Sequence, residues 1–143
     1  MASEPKTILL VEDNADDEQL TLRAMRRSEV PNIIRVARDG EEALQFLFGD
    51  GTITPKLPDL LLLDLKLPKV NGLEVLERVR KDERTKTMPI VVLTSSDEER
   101  DIVESYNLGA NSYVRKPVDF DEFMDAVRQL GLYWLSMNRT QRR

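Results

Sequence analysis

The stretch that decides the fold is Leu60-Leu61-Leu62-Leu63, followed at once by Asp64. An apolar run of this length that ends at a carboxylate is typical of a strand buried on both faces of a parallel sheet. Similar runs occupy residues 7–11 and 89–94, and each of them also ends next to polar residues. The pattern predicts several parallel strands whose polar residues meet at one end of the sheet.

Working outward from this stretch, helical patterns alternate with the apolar runs. Further strands are predicted at residues 32–37 and 111–115. Helices are predicted at about residues 14–27, 41–48 and 97–108, around an apolar stripe at Leu73, Val75, Leu76 and Val79, and from Phe120 onward. Asn14 is expected to cap the first helix, with Asp16 and Asp17 in its first turn complementing the helix dipole. The last helix has one apolar face, formed by Phe120, Phe123, Met124, Val127, Leu130 and Trp134. Five strands alternating with five helices indicate an α/β fold, a doubly wound (βα)5 unit with a five-stranded parallel sheet and helices on both faces.

The chain length of 143 residues fits a single domain. We expect one domain over residues 1–143, with its core at about residues 6–135, a short flexible N-terminus and a basic C-terminal tail. The glycines and prolines of residues 49–58 predict a surface loop. The longest apolar runs are four residues, far short of the roughly 20 that cross a bilayer, so we expect a cytoplasmic protein.

The composition excludes several kinds of chemistry. The chain has no cysteine and no histidine, so thiolate metal sites, phosphohistidine carriers and Ser-His catalysis are ruled out. The net charge of -5 argues against general nucleic-acid binding, which needs clustered basic residues. A phosphoryl group handled by this chain would have to be received by a carboxylate and donated by another molecule.

Charged and hydroxyl residues close four of the strands: Glu12 and Asp13, Asp64, Thr94 and Lys116. Ligands of open α/β sheets bind at the carboxyl ends of the strands, so we expect these side chains to lie together. Neighbouring carboxylates resist ionisation unless they share a cation, and oxygen ligands suit a hard ion such as Mg²⁺. A carboxylate there could also form an aspartyl phosphate, which Lys116 and Thr94 would stabilise.

With these residues the sequence resembles the response-regulator receiver domains of the CheY-like superfamily, over about residues 6–135. The matching segments are Leu10-Val11-Glu12-Asp13-Asn14, Leu62-Leu63-Asp64-Leu65, Val92-Leu93-Thr94-Ser95 and Tyr113-Val114-Arg115-Lys116-Pro117. The resemblance implies a flavodoxin-like fold and a two-component phosphorelay, in which a sensor histidine kinase phosphorylates the domain. It also implies that the protein is a signalling switch that catalyses only its own phosphotransfer and dephosphorylation.

The resemblance assigns a role to each site residue. Asp64 would accept the phosphoryl group, Thr94 and Lys116 would contact its oxygens, and Thr94 and Tyr113 would form the switch. The implied Mg²⁺ ligands are Glu12, Asp13, Asp64 and the backbone carbonyl of Lys66. Glu12 stands where many receivers have aspartate, so we expect it to reach the metal through water. The Lys66 side chain could tune hydrolysis of the acyl phosphate, and the family pattern implies a cis peptide between Lys116 and Pro117.

A narrower similarity is to the single-domain regulators of bacterial and cyanobacterial phytochrome kinases. It depends on Leu67-Pro68-Lys69, on the loop before Pro58, on Asp119-Phe120-Asp121 and on Tyr133-Trp134-Leu135. The similarity, together with apolar residues at the end of the last helix, suggests a phosphorylation-linked homodimer through the fourth helix, fifth strand and fifth helix. Since no output domain follows in this sequence, we expect the readout to be another protein or self-association.

Two alternatives remain at this point. The chain could be a receiver used only as a phosphorylation-independent docking module, although its site is complete. A haloacid-dehalogenase-like phosphatase would also use an aspartyl phosphate on a parallel sheet. Such an enzyme needs a second aspartate two residues after the nucleophile, and this chain has Lys66 there.

Overall fold

The computed structural model describes residues 5–28, 30–49, 56–96 and 98–137. The strands are β1 (Lys6–Val11), β2 (Asn32–Ala37), β3 (Leu60–Leu63), β4 (Ile90–Thr94) and β5 (Ser112–Arg115). The helices are α1 (Ala15–Arg26), α2 (Gly40–Phe48), α3 (Gly72–Lys81), α4 (Glu99–Asn107) and α5 (Phe120–Leu132), and a π-helical segment, Tyr133–Met137, continues α5. The predicted alternation of strands and helices is confirmed.

All strand pairs are parallel, and the strand order is β2-β1-β3-β4-β5. The order reverses beside β1, so β1 and β3 lie at the centre of a doubly wound sheet, as predicted. The central strand β3 is completely buried, which explains its unbroken run of leucines.

Helices cover both faces of the sheet, and a separate apolar cluster fills each face. In one cluster, Leu9, Val11, Leu61 and Leu63 pack with buried residues of α2 and α3. In the other, Ile8, Leu10, Leu60 and Leu62 pack with buried residues of α1 and α5. Burying each large apolar side chain contributes about 1.5–3 kcal/mol relative to exposure, so the two clusters hold the strand ends in a fixed arrangement.

Side-chain caps set where most helices begin. Asn14, Asp39, Asn71 and Asp119 each accept a hydrogen bond from the backbone N–H three residues later. Each such cap is worth about 1 kcal/mol. The predicted cap at Asn14 is confirmed, and Asn71 makes the same kind of bond at the start of α3. Helix α4 differs, because its N-cap residue Glu98 makes no side-chain capping bond.

Two expectations about the end of the chain need correction. The peptide between Lys116 and Pro117 is trans, since the described residues contain no cis peptide bond. The trans form of an X-Pro bond is the intrinsically favoured one, by about 0.5–1 kcal/mol. Phe120, expected on the buried face of α5, is 48% exposed, and the Arg23 guanidinium lies 5.9 Å from its ring centre. Phe120 therefore lies at the surface beside a cation, outside the apolar cluster that α5 helps to form.

Some predictions fall on residues outside the described ranges. These are the flexible N-terminus, the basic tail, the middle of the loop at residues 50–55 and the start of the fourth helix at Asp97. Among the described helices, none combines the length and the apolar character that a membrane crossing requires.

Candidate functional site

The carboxyl end of the sheet brings the predicted site residues together. Asp64 follows β3 directly, and its backbone N–H donates to the carbonyl of Val11 at the end of β1 (3.1 Å). Lys116 follows β5, and its N–H donates to the carbonyl of Thr94 at the end of β4 (2.7 Å). Because parallel pairing holds the four strand ends side by side, their polar side chains share one cavity.

The Asp64 carboxylate lies at the centre of this cavity. The Thr94 hydroxyl donates to Asp64 Oδ1 at 2.8 Å, and the Lys116 ammonium donates to Asp64 Oδ2 at 3.0 Å. The backbone N–H of Lys66 also donates to Oδ1 at 3.2 Å. Both carboxylate oxygens therefore have donors, although Asp64 is almost completely buried.

Three carboxylates surround the Lys116 ammonium. Its Nζ lies 2.6 Å from Glu12 Oε1, 2.9 Å from Asp17 Oδ2 and 3.0 Å from Asp64 Oδ2. Burial by itself lowers the pKa of Lys116, but its hydrogen bonds to Glu12 and Asp17 and the charges of Asp64 and Glu12 outweigh burial and raise that pKa. The lysine is therefore a permanent cation at neutral pH.

Glu12 is the most deeply buried acid of the group. Its Oε1 contacts Lys116, and its Oε2 accepts from the backbone N–H of Asn14 at 3.2 Å. Burial raises the pKa of Glu12 from its ordinary 4.5 to about 7, and the charge of Asp64 adds to the increase, while the hydrogen bond and charge of Lys116 act against it. One ammonium does not fully neutralise this group of acids, so a further cation would be stabilised here.

Glu12, Asp13 and Asp64 form a group that could hold such a cation. Each offers one carboxylate oxygen, and the three oxygens lie within 4.8 Å of one another. Asp13 is exposed, which leaves the group open to solvent on one side. A donor set made only of oxygens fits a hard divalent ion. The backbone carbonyl of Lys66 lies two residues after Asp64 in the chain, and its role as a metal ligand remains a prediction.

The predicted switch residues lie on one hydrogen-bonded path. While Thr94 donates to Asp64, the Tyr113 hydroxyl donates to the backbone carbonyl of Ser96 at 2.7 Å. The Ser96 hydroxyl donates to Asp101 Oδ2 in the first turn of α4 at 2.6 Å. The backbone N–H of Ser96 donates to the Thr94 hydroxyl at 3.5 Å, so the path runs from the site through Ser96 to α4 and joins both predicted switch residues.

Sequence reasoning missed Asp17, Ser96 and Asp101. Asp17 was assigned only a favourable interaction with the dipole of α1, yet its side chain meets Lys116, which is 99 positions later in the chain. The available signal was that α1 begins directly after β1, so its first turn lies over the site. Ser96 follows β4 and Asp101 lies in the first turn of α4, and the contact between them follows no simple sequence period.

Comparisons with known proteins identify the family of this chain. The family model for the response regulator receiver domain matches residues 8–128. The probable methanogenesis regulatory protein FilR2 of Methanothrix harundinacea is 40% identical over 139 residues, which are 97% of this chain and 90% of FilR2. Response regulator Rcp1 of Synechocystis sp. is 38% identical over 133 residues, which are 92% of this chain and 90% of Rcp1.

Two solved structures share the fold closely. The phosphorylated cyanobacterial phytochrome response regulator RcpA has a TM-score of 0.89 and 37% identity, with 97% of this chain and 100% of RcpA covered. The Mn²⁺-bound form of Rcp1 also has a TM-score of 0.89, at 36% identity, with 96% of this chain and 100% of Rcp1 covered. The narrower similarity to phytochrome-associated regulators is therefore confirmed. The chain belongs to the response regulator receiver domain family, the signalling modules of two-component systems.

Proposed function

We propose that this receiver domain accepts a phosphoryl group on Asp64 from a phosphohistidine of a sensor histidine kinase. The observation that carries the proposal is the position of the Asp64 carboxylate between the Thr94 hydroxyl and the Lys116 ammonium, at 2.8 and 3.0 Å. These two donors approach opposite oxygens of the carboxylate. An Asp64 oxygen would attack phosphorus, the phosphorus–nitrogen bond would break, and the electron pair would return to the imidazole of the kinase.

The oxygen donors at the site suit Mg²⁺ as the working cofactor. Glu12, Asp13, Asp64 and the Lys66 carbonyl would hold it, with Glu12 acting through water. When bound, the ion would neutralise charge that develops on the transferred phosphoryl oxygens. Support comes from the three clustered carboxylate oxygens and from the Mn²⁺-bound structure of Rcp1.

Lys116 and Thr94 would act on the phosphoryl group itself. The transferred group spreads negative charge over three oxygens, so a buried ammonium and a hydroxyl donor stabilise it more strongly than water would. Hydrolysis of the resulting acyl phosphate by water would return Asp64 to its carboxylate form. The domain would thus catalyse its own phosphorylation and dephosphorylation, and the Lys66 side chain would adjust the second rate.

The path from Thr94 to Tyr113 would carry the signal to the surface. Phosphorylation would favour the arrangement in which Thr94 points to Asp64 and Tyr113 binds the Ser96 carbonyl. The phosphoryl group shifts the population only as far as its contacts differ between two arrangements. The loop after β4 and helix α4 would be the elements that respond.

The responding face has apolar residues available for a partner. Val103 and Tyr106 of α4 and Tyr133 at the end of α5 are about half exposed. We infer a phosphorylation-linked homodimer through α4, β5 and α5. We also infer that the sensor kinase is a phytochrome, because the similar protein RcpA is a phytochrome response regulator. A cytoplasmic location remains a prediction. Sedimentation that shows a monomer in both phosphorylation states would contradict the inferred homodimer.

The central experiment exposes the purified protein to acetyl phosphate and Mg²⁺ and follows its mass. The wild-type chain should gain one phosphoryl group that is lost on standing, and Asp64→Asn should gain none. Asp59→Asn is a matched control, because Asp59 lies just before β3 and binds Thr7 far from the site. Uptake of a phosphoryl group by Asp64→Asn would contradict the proposal. No uptake by the wild type would favour the alternative that the domain is a docking module that works without phosphorylation.

A further inference from the structure

The three acids around Lys116 are not equivalent. Nζ has three hydrogens, and the three short contacts are to Glu12, Asp17 and Asp64. Glu12 and Asp64 belong to the group that can hold a cation, and Asp64 is also the proposed phosphoryl acceptor. Asp17 lies outside that group. It is therefore the partner of Lys116 whose charge stays constant while the other two change.

The fold holds Asp17 in place from both sides. Its backbone N–H donates to the cap residue Asn14 at 2.9 Å, and its carbonyl accepts from the Thr21 hydroxyl at 2.8 Å. These bonds fix the first turn of α1, which begins directly after the residues that close β1. The Asp17 carboxylate is partly exposed, whereas the Lys116 side chain that it contacts is 7% exposed. Asp17 thus reaches the ammonium from the open side of the cavity.

We propose that Asp17 is a positioning residue that orients the Lys116 ammonium toward the phosphoryl group. The proposal rests on the proposed function of Asp64. When a cation is held beside Glu12 and Asp64 becomes an acyl phosphate, the charge of Asp64 moves to the phosphoryl oxygens, so the contacts of Nζ to both acids change together. The contact to Asp17 remains, so it keeps the flexible lysine chain extended across the cavity. Nζ can then turn a freed hydrogen to a phosphoryl oxygen without losing its place.

The kinetic test compares three variants in acetyl phosphate and saturating Mg²⁺. Asp17→Ala should slow phosphoryl uptake about three- to tenfold, the cost of losing one charge-assisted hydrogen bond. Asp17→Asn retains an oxygen acceptor of the same shape and should recover most of the rate. Asp16→Ala is the matched control, because Asp16 is an exposed acid in the same first turn of α1. It should react within about twofold of the wild type.

A second measurement reads the lysine without any phosphoryl chemistry. The ¹H–¹⁵N signal of the buried Lys116 ammonium, identified by its loss in Lys116→Met, should be slow in hydrogen exchange. Asp17→Ala should accelerate that exchange about three- to tenfold, while Asp17→Asn and Asp16→Ala should leave it close to the wild type. Melting temperatures of the variants give a separate check that each one is folded.

The outcomes separate the two proposals. A wild-type protein that takes up no phosphoryl group would overturn the function of Asp64, whereas the exchange measurement would still decide whether Asp17 orients the lysine. Equal uptake rates and equal ammonium exchange in the wild type and Asp17→Ala would overturn the role of Asp17. The same conclusion would follow if Asp16→Ala were slowed as much as Asp17→Ala, since the general acidity of the first turn would then be the cause.

Discussion

A cation lies at each end of the sheet, Lys116 buried and Arg80 partly buried, and the two have different surroundings. At the carboxyl end, Lys116 contacts three carboxylates. At the amino end, neutral oxygens accept from the Arg80 guanidinium: the carbonyls of Thr85, Lys86, Met88 and Gly109 and the side-chain oxygen of Asn111. Burial lowers the pKa of Arg80, while that of Lys116 is raised.

The difference separates a structural group, Arg80, from the group that the proposed function uses, Lys116. Arg80 joins the end of α3 to the segments that precede β4 and β5, and fixed neutral dipoles satisfy it. Nothing in that arrangement calls for another ligand. The carboxyl end holds more acid than Lys116 can neutralise, so a further cation would be stabilised there. The amino end of the sheet therefore has a structural hydrogen-bond network, and the carboxyl end has a site that could bind a ligand.

Removing the Lys116 ammonium should have the largest effect on stability. Lys116→Met leaves buried carboxylates without their counter-ion, and we expect a loss of about 3–5 kcal/mol in unfolding free energy in EDTA at pH 8. Urea denaturation measures this, and Mg²⁺ should restore part of the loss. The control is Lys69→Met, because Lys69 is largely exposed and lies 3.8 Å from its nearer acid, Asp39. Equal stability of the two variants would contradict the comparison.

Removing the structural cation should cost less and leave the chemistry intact. Arg80→Ala leaves several carbonyls without their donor, and we expect a loss of about 2–3 kcal/mol in urea denaturation. Arg80→Lys should recover little, since an ammonium cannot reproduce the planar fork of donors. Phosphoryl uptake from acetyl phosphate should stay near the wild-type rate. A large drop in that rate would show that the two ends are coupled.

The excess of acid should appear as a pH dependence of stability. The folded-state pKa of Glu12 is about 7, above its ordinary value of 4.5, so between these values the folded state holds a proton that the unfolded state lacks. Raising the pH through this window should lower the unfolding free energy in EDTA. Glu12→Gln should flatten that slope in denaturation curves recorded from pH 4.5 to 8. An unchanged slope in Glu12→Gln would exclude Glu12 as its source.

An exposed cation should matter least. The Lys81 ammonium lies 2.6 Å from Glu77 Oε1 one helical turn away, and both side chains are well exposed. Such pairs contribute about 0.3–0.5 kcal/mol, so Lys81→Gln should change the unfolding free energy by no more than this. Urea denaturation in low and high salt measures it. A loss of stability comparable to that of Arg80→Ala would mean that burial does not determine how much a charged side chain contributes to stability.

Much of the site could be predicted from the chain because its chemistry sits where strands end. Asp64, Thr94 and Lys116 each lie at the end of a strand or directly after it, and parallel strands place such positions side by side. Asp17 and Arg80 could not be found in this way. Their partners lie 99 and up to 31 positions away, and these contacts follow no sequence period. The trans peptide before Pro117 likewise differed from the family pattern.

The amino-acid sequence by itself determined the order of strands and helices, the burial of β3 and three of the acids that reach the carboxyl end of the sheet, Glu12, Asp13 and Asp64. These features follow from local patterns of apolar and polar residues, which act over a few positions. Only the tertiary structure decided that Lys116 meets Asp17 as well as Asp64, and that Tyr113 binds the loop after β4. Side-chain contacts between distant segments depend on how α1, β4 and β5 pack, and packing is a property of the whole fold.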